Sequence, residues 1–430
     1  MLIRRKSFLA LGALGATSAM LSACGGGTSE DPAAGGSSDA GGASDAGGAE
    51  GAPQRADAQL VIWADEKKAE SLQAPAAAWG EAQGITVAVQ SVANDLQTNF
   101  VTANQAGNGP DVLVGAHDWI GNLVQNASIT PVQLPADAAD KIAPIGLSAV
   151  QLDGQTYGVP YAVETLVLFA NNALTDAPSP ASIEELVSAG QAGGAENVLS
   201  LPVGEEGDAY HMEPLYTSGG GYLFGTDAEG GLDPSDLGVG KEGSIAAGGK
   251  IGELGAQGVL KTSITGDNAI SLFTDGKAAY LVSGPWALAD IKAAGIDFTM
   301  SAVPGFEGMQ PAKPFAGVNA FYVAAAAKNP AYAQQFLSDV ASAPDVAREM
   351  FAVNELPPVS LELQTELAAG SPELIQIAEL AEGADPMPSI PEMAAIWKPL
   401  GQAQANIVGG ADPAEVMTSA GEQIAGEIGA

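Results

Sequence analysis

Short apolar runs alternate with amphipathic stretches along most of this chain. Leu60 to Trp63, Ile85 to Val89 and Asp111 to Gly115 have the length and β-branched content of buried strands. A helical segment running to about Glu81 separates the first two, with Pro75 expected in its opening turn, where the missing N–H is harmless. Between the second and third, Leu96, Phe100 and Val101 share one helical face, and Gly107-Asn108-Gly109-Pro110 stops the helix. The alternation resumes with an apolar run at Thr165 to Ala170, a helix at Ile183 to Ala189, a strand-like run at Lys277 to Val282 and an apolar stretch at Phe315 to Ala327. From about Ala331 the pattern is mainly helical, with Tyr332, Phe336 and Val340 on one face. Strands alternating with helices predict right-handed βαβ units and a mainly parallel sheet, and two such zones without a short repeat predict two α/β lobes. Ligands of such sheets sit beyond the strand carboxyl ends, so a cleft between the lobes is the expected site.

The first 23 residues read as a signal peptide. Arg4, Arg5 and Lys6 precede a charge-free stretch from Phe8 to Leu21, which is shorter than the roughly 18 residues needed to span a bilayer. It ends in Leu21-Ser22-Ala23-Cys24, which resembles a bacterial lipobox, so Cys24 is the expected lipidation site. Arg4-Arg5 leaves both twin-arginine and Sec export open. Residues 24–57 are then a lipidated cysteine followed by a Gly/Ala/Ser/Asp tether that cannot bury enough apolar surface to fold. No later run is long enough to cross a bilayer, so the lipid is the only expected membrane contact and the outer face of the cytoplasmic membrane the expected location.

Charge narrows the range of partners. Asp and Glu number 51 against 16 Lys and Arg, for a formal net charge of −35. Such a surface repels phosphate backbones and anionic lipid, which argues against a nucleic-acid partner. Residue inventory removes most catalytic chemistry as well. Two histidines and one cysteine give no zinc or thiol-redox set, and neither a Gly-x-Ser-x-Gly elbow nor a phosphate-binding Gly-x4-Gly-Lys loop occurs. No metal, cofactor or catalytic residue is therefore expected. Gly238-x-Gly240-x-x-Gly243 satisfies a dinucleotide fingerprint, but Asp233-Pro234-Ser235-Asp236 before it reads as a turn rather than the required strand. Asp118 and Glu164 lie near strand ends, and a carboxylate pair would suit a glycosidase if about 5–9 Å apart.

What remains is a set of rings and polar groups at loop positions. Trp119 follows Asp118, Tyr210 and His211 follow a Gly/Glu/Asp loop, Trp286 follows Gly284-Pro285, and Trp397 follows a Pro-rich stretch. Aromatic faces cover the C–H faces of a pyranose while carboxylates accept from its hydroxyls, so a neutral, hydroxyl-rich ligand suits the mixture. Trp63 and Trp79 are assigned to the core.

Tyr157-Gly158-Val159-Pro160-Tyr161-Ala162-Val163-Glu164, Ala116-His117-Asp118, Gly284-Pro285-Trp286-Ala287 and Lys313-Pro314-Phe315-Ala316-Gly317-Val318 resemble segments of the maltose- and maltodextrin-binding proteins of ABC importers, within the bacterial extracellular solute-binding proteins. The resemblance runs from about Leu60 to about Ala411 and implies a periplasmic-binding-protein-like fold of two α/β lobes joined by hinge strands. It places residues 58–163 plus 320–365 in the N-terminal lobe and 164–319 plus 366–430 in the C-terminal lobe, with crossings near Val163-Glu164, Gly317 to Ala320 and residue 365. It further implies that Glu66, Lys67, Asp118 and Glu164 hydrogen-bond sugar hydroxyls, that Tyr210, Trp286 and Trp397 stack on glucose faces, and that Asp208 accepts a hydroxyl. Gly115 stands where a stacking Trp is common, and Trp119 where an Arg is common, so Trp119 is counted among the expected sugar-binding residues as a ring moved by four positions that serves the same sugar or reshapes one subsite. Lys398 and Gly401 replace an aromatic and an Arg. The implied activity is capture of an oligosaccharide by a monomer through lobe closure and delivery to importer permease subunits, without catalysis. Trehalose or cyclodextrin as ligand, and a lipid-anchored hydrolase using Asp118 and Glu164, are the alternatives.

Overall fold

The computed structural model describes residues 53–135, 137–228 and 231–429, so the leader, Cys24 and most of the tether lie outside the described residues. Two mixed sheets organise the body. In the first, Val87–Ser91, Leu60–Ala64 and Val112–Ala116 run parallel in that order, as expected for βαβ units. The long strand Phe315–Ala324 then pairs antiparallel with Val112–Ala116 and, on its other side, with Gly158–Thr165. In the second, the order is Phe298–Ser301, Val167–Asn171, Ala278–Ser283, Asn197–Ser200, and only the last pair is parallel. The mainly parallel expectation thus holds for the opening strands, whereas elsewhere parallel pairs such as Asn197–Ser200 with Ala278–Ser283 stand among antiparallel ones, because later strands arrive by connections other than a single helical crossover.

Both sheets are covered on both faces, which is why their strands read as unbroken apolar runs rather than alternations. Leu60, Ile62 and Ala64 point into one buried cluster with Leu72 and Phe336, while Val61 and Trp63 point into another with Phe100 and Leu113. In the second sheet, Leu166, Leu168 and Ala170 share a cluster with Tyr216 and Tyr280, and Val167 and Phe169 share one with Phe273 and Ile291. The chain crosses between sheets over very few residues. Val163 lies in a core of the first sheet and Leu166 in a core of the second, and the same change falls between Phe315 and Ala316. The helix Pro372–Ala381 lies across both sheets, with Leu374 and Ile377 in a core of the second sheet and Ala378 and Ala381 in a core of the first, and the chain returns to the second at Met393.

Several local readings change. The helix starts at Glu66 and runs to Gln83, because Asp65 caps it by accepting from the Lys68 N–H. Pro75 is therefore interior, with its ring buried beside Leu72 and Ala76. Tertiary packing offsets the roughly 3 kcal/mol that an interior proline costs. Gly84, at φ +69°, closes that helix, and the Ile85 N–H donates to the Gly80 carbonyl. Ile85 is thus spent on the turn, and the strand begins at Val87. Trp63 is fully buried, and Trp79 is half-buried with its indole N–H donating to Asp339.

Asp233-Pro234-Ser235-Asp236 is not a turn but part of the strand Leu232–Leu237, paired antiparallel with Phe224–Thr226 and followed by the helix Glu242–Ala256. The glycines after it serve packing. A Cβ at Gly238 would lie 2.1 Å from the Tyr222 carbonyl oxygen and one at Gly243 2.1 Å from that of Gly220, so the peptide chain itself fills the space a pyrophosphate would need.

The tether also ends earlier than expected. Arg55 donates to the Gly109 carbonyl and forms a 2.6 Å ion pair with Asp111, which is fully buried and also accepts from the Val61 and Asn329 N–H groups. Asp111 therefore ties the chain entry, the first strand and the 329 turn together. Arg55→Ala should destabilise the body by about 3–5 kcal/mol, since it strands a buried carboxylate. Urea unfolding tests this, and a loss within about 0.5 kcal/mol would show that the pair is peripheral.

Candidate functional site

Glu164 is presented by the strand pair that joins the two sheets. Ala162 pairs with Asn319 and Pro160 with Ala320, so Tyr161 is an extra residue that bulges the strand. Beyond the bulge Glu164 lies opposite Gly317, where a Cβ would stand 3.3 Å from the Glu164 Cγ. Asn319 Nδ2 donates to Glu164 Oε1 at 3.1 Å. Burial raises the Glu164 pKa, opposed by that hydrogen bond and by Lys68, while Asp65 reinforces the rise. Lys68 is itself ion-paired with Asp65. The Tyr161 hydroxyl is buried without a partner, and after burial the charges of Asp65 and Glu164 add most to its raised pKa. A small polar group of Asp65, Lys68, Tyr161, Glu164 and Asn319 thus forms at one crossing.

Asp118 sits on a short turn at the end of Val112–Ala116. Its neighbour His117 is fully buried: the Val318 N–H donates to Nδ1 at 3.0 Å, and Nε2 meets the Met387 carbonyl at 3.0 Å. Those two partners require the neutral tautomer with the proton on Nε2, consistent with burial lowering the His117 pKa to about 4. His117 is therefore a clamp between three segments, and it fixes the turn carrying Asp118. Asp118 Oδ1 is buried with no partner, and burial raises the pKa of the carboxyl to about 6.

Rings gather on the other side. Tyr210 lies 6.4 Å from Trp286 and stacks on Phe315 at 6.0 Å between centroids, and Phe315 meets Trp397 edge-on at 5.8 Å. His211 stands edge-on to Trp286 at 6.3 Å. Asp208 caps the helix Ala209–Ser218 by accepting from the His211 N–H, and its second oxygen holds His211 Nδ1 at 2.7 Å. Burial and then the Glu164 and Asp208 charges raise the Tyr210 hydroxyl above the usual range. Two glycines dock the Trp397 helix on this group. A Cβ at Gly207, φ +88°, would lie 2.0 Å from the Gly401 carbonyl carbon, so the position where an Arg is common is a point of backbone contact.

The structure thus brings Tyr210, Trp286 and Trp397 into one cluster, with Asp208 and Glu164 beside Tyr210. Lys67 lines a groove with Trp286. Glu66 is exposed on the first helical turn, and the adjacent Asp65 and Lys68 are the residues that interact with Glu164. Trp119 packs its ring over Gly115, where a Cβ would come within 2.4 Å of the indole, and it joins no ring pair of the cluster among the described residues. Phe315 and Asn319 are absent from the sequence-based set. The signal for both lay in the strand Phe315–Ala324, whose apolar run marks it as core and hides its role at the crossing. Among the described residues no group of three or more His, Cys, Asp or Glu is placed to hold a metal ion.

The sign of the Asp118 effect is fixed by its raised pKa. The folded protein holds this proton up to about pH 6 against 3.8 ordinarily, so the contribution to stability is complete below 3.8 and is lost as pH rises through about 6. Asp118→Asn should therefore raise stability relative to the parent more at pH 7 than at pH 4, by about 1–3 kcal/mol. Melting curves at both values check this, and an equal difference at each pH would count against a desolvated carboxyl.

Residues 74–381 match the family of bacterial extracellular solute-binding proteins. The galactooligosaccharide-binding protein of Bacillus subtilis is 30% identical over 380 residues, covering 86% of this chain and 89% of that protein. A maltooligosaccharide ABC transporter solute-binding lipoprotein of Streptococcus pneumoniae is 25% identical over 403 residues, covering 92% of this chain and 90% of its own. Among solved structures, a cyclo/maltodextrin-binding protein complexed with maltotetraose superposes with a TM-score of 0.77 at 26% identity, over 86% of this chain and 97% of that one. With its two α/β lobes joined by crossing strands and its match over most of the folded body, this chain belongs to the bacterial extracellular solute-binding protein family.

Proposed function

We propose that this protein is an exported lipoprotein, anchored at Cys24, that captures maltodextrin-type oligosaccharides between its lobes and delivers them to the permease subunits of an ABC importer without cleaving them. The supporting observation is the continuous ring cluster of Tyr210, Trp286, Phe315 and Trp397 beside the carboxylate of Glu164. Rings cover pyranose C–H faces with little entropy loss, and buried carboxylates with open lone pairs accept strong hydrogen bonds from hydroxyls. The two lobes, drawn from sequence at 58–163 plus 320–365 and 164–319 plus 366–430 but with residues 316–319 packed on the first sheet, bend where the strands cross, and ligand shifts the population toward the closed form because it touches both. A micromolar dissociation constant corresponds to about 8 kcal/mol. The name of the Bacillus subtilis relative favours a second reading, a galactooligosaccharide ligand, in the same cleft.

Titration of the purified protein with maltotriose, trehalose, a cyclodextrin and a galactooligosaccharide separates these readings. Maltotriose should bind and raise the melting temperature, and Trp286→Ala or Trp397→Ala should weaken it about 10-fold or more. Binding of a peptide alone would refute the sugar reading. Glucose released from maltotriose would show that Asp118 and Glu164 perform hydrolysis.

A further inference from the structure

Beside the ring cluster lies a carboxyl that takes no part in it. Glu213, in the helix Ala209–Ser218, is 4% exposed, and its Oε2 is buried with no hydrogen-bond partner. Tyr210, Glu213 and Thr217 recur at helical spacing, so they lie along one side of that helix. This side runs along residues 313–315. Tyr210 stacks on Phe315 at one end, and at the other the Thr217 hydroxyl accepts from the Lys313 N–H at 3.0 Å. Glu213 is therefore held between two fastenings, beside the point where the chain passes from one sheet to the other.

Nothing there compensates a charge. Asp385, on the strand that pairs with Phe315, brings a second carboxylate, and its 3.0 Å ion pair with Lys313 engages the ammonium of that segment. On its own helix Glu213 has Tyr210 and Tyr216 as neighbours, and His211 is committed to Asp208. The helices Glu242–Ala256 and Trp397–Val408 pack on the same helix, but Glu242, Glu253 and Lys398 are exposed and Lys250 pairs with Glu253. Burial and then the Asp385 charge raise the Glu213 pKa well above the ordinary carboxyl value. An ionised carboxylate in this place would have to reach water. Movement is eased by Pro214, which lacks the N–H that would bond the Tyr210 carbonyl, so the turn carrying Tyr210 is tied less firmly to the rest of its helix.

We propose that Glu213 is a positioning residue of the ring cluster, acting through Tyr210 and Phe315, and that it keeps them stacked only while it is neutral. Once ionised, it draws its helix away from residues 313–315 and parts the rings at the crossing, so capture weakens as the surroundings turn alkaline. The folded chain binds this proton more tightly than the unfolded one. Its contribution to stability is therefore complete below the ordinary carboxyl value and is lost as pH rises through the raised one, whereas a side chain that cannot ionise suffers no such loss. The effect on capture rests on the oligosaccharide reading above; the coupling of Glu213 to the rings does not.

Tryptophan emission, melting and maltotriose titration at pH 6 and pH 9 test this on the unmodified protein, Glu213→Gln and Glu213→Met. Emission reports the rings because Trp397 meets Phe315 and Trp286 neighbours Tyr210. Between those two values the unmodified protein should change its emission and lose about 5-fold or more in maltotriose affinity relative to both variants. Asp118 and Glu164 titrate in all three proteins, so their effect cancels in the comparison. Gln keeps the shape and Met the apolar volume, so misfolding of one variant, seen in its melting curve, leaves the other to decide. Parallel pH profiles of emission and affinity in all three proteins overturn the proposal, since a purely structural side chain would shift them equally at both values. If maltotriose fails to bind the unmodified protein at either pH, the oligosaccharide reading falls and the emission profiles alone decide for or against Glu213.

Discussion

The antiparallel pairing of Gly158–Thr165 with Phe315–Ala324 carries both the architecture and the site. These strands are the innermost connection between the lobes, and the residues that leave the ladder are the ones with chemistry. One extra residue at Tyr161 re-aims the side chains after it, and Gly317 leaves room across the ladder for the Glu164 side chain. His117 then fastens the Asp118 turn to the same strand through the Val318 N–H. A displacement at the crossing is therefore felt by both carboxylates.

Burial sets the character of those carboxylates. Asp118 and Glu164 are both desolvated, and neither is paired with a cation closely enough to hold its pKa down. Lys68 is the nearest compensation for Glu164, and its charge is shared with Asp65. Such groups gain most from partners that donate without bringing charge, since a hydroxyl satisfies a lone pair at little desolvation cost of its own. The same reasoning would let a strongly acidic protein hold the uncharged ligand proposed above, with rings rather than cations gathered beside the carboxylates.

Much of this was legible in the residues. Unbroken apolar runs located five strands to within two positions and the start of the Phe315–Ala324 strand, because strands buried on both faces have no polar side to blur them, while Gly158–Thr165, Asn197–Ser200 and Phe298–Ser301 went unread. The rings at 210, 286 and 397 stood out because each follows a turn, where a large apolar group has no role in a strand or helix face. Phe315 was not legible, since one more apolar residue at the start of a strand looks like core, and its stacking on Tyr210 is a tertiary fact. Asp65 and Lys68 were overshadowed by their neighbours Glu66 and Lys67, and the helix phase that turns the first pair inward depends on the Asp65 cap. Pro75 and the Asp233–Asp236 segment misled for one reason: local propensity gave way to packing that only distant residues supply.

Two glycines are matched to two indoles. The ring of Trp119 lies where a Cβ at Gly115 would be, and the ring of Trp286 comes within 2.2 Å of the corresponding point at Gly284. Neither partner of such a couple can change alone without either a clash or a void. A side chain at Gly115 would need the indole of Trp119 to move or be removed, and removing the indole alone would leave a gap over the strand end. The two positions of each couple therefore share one volume, and filling it from the glycine side requires removing the ring first.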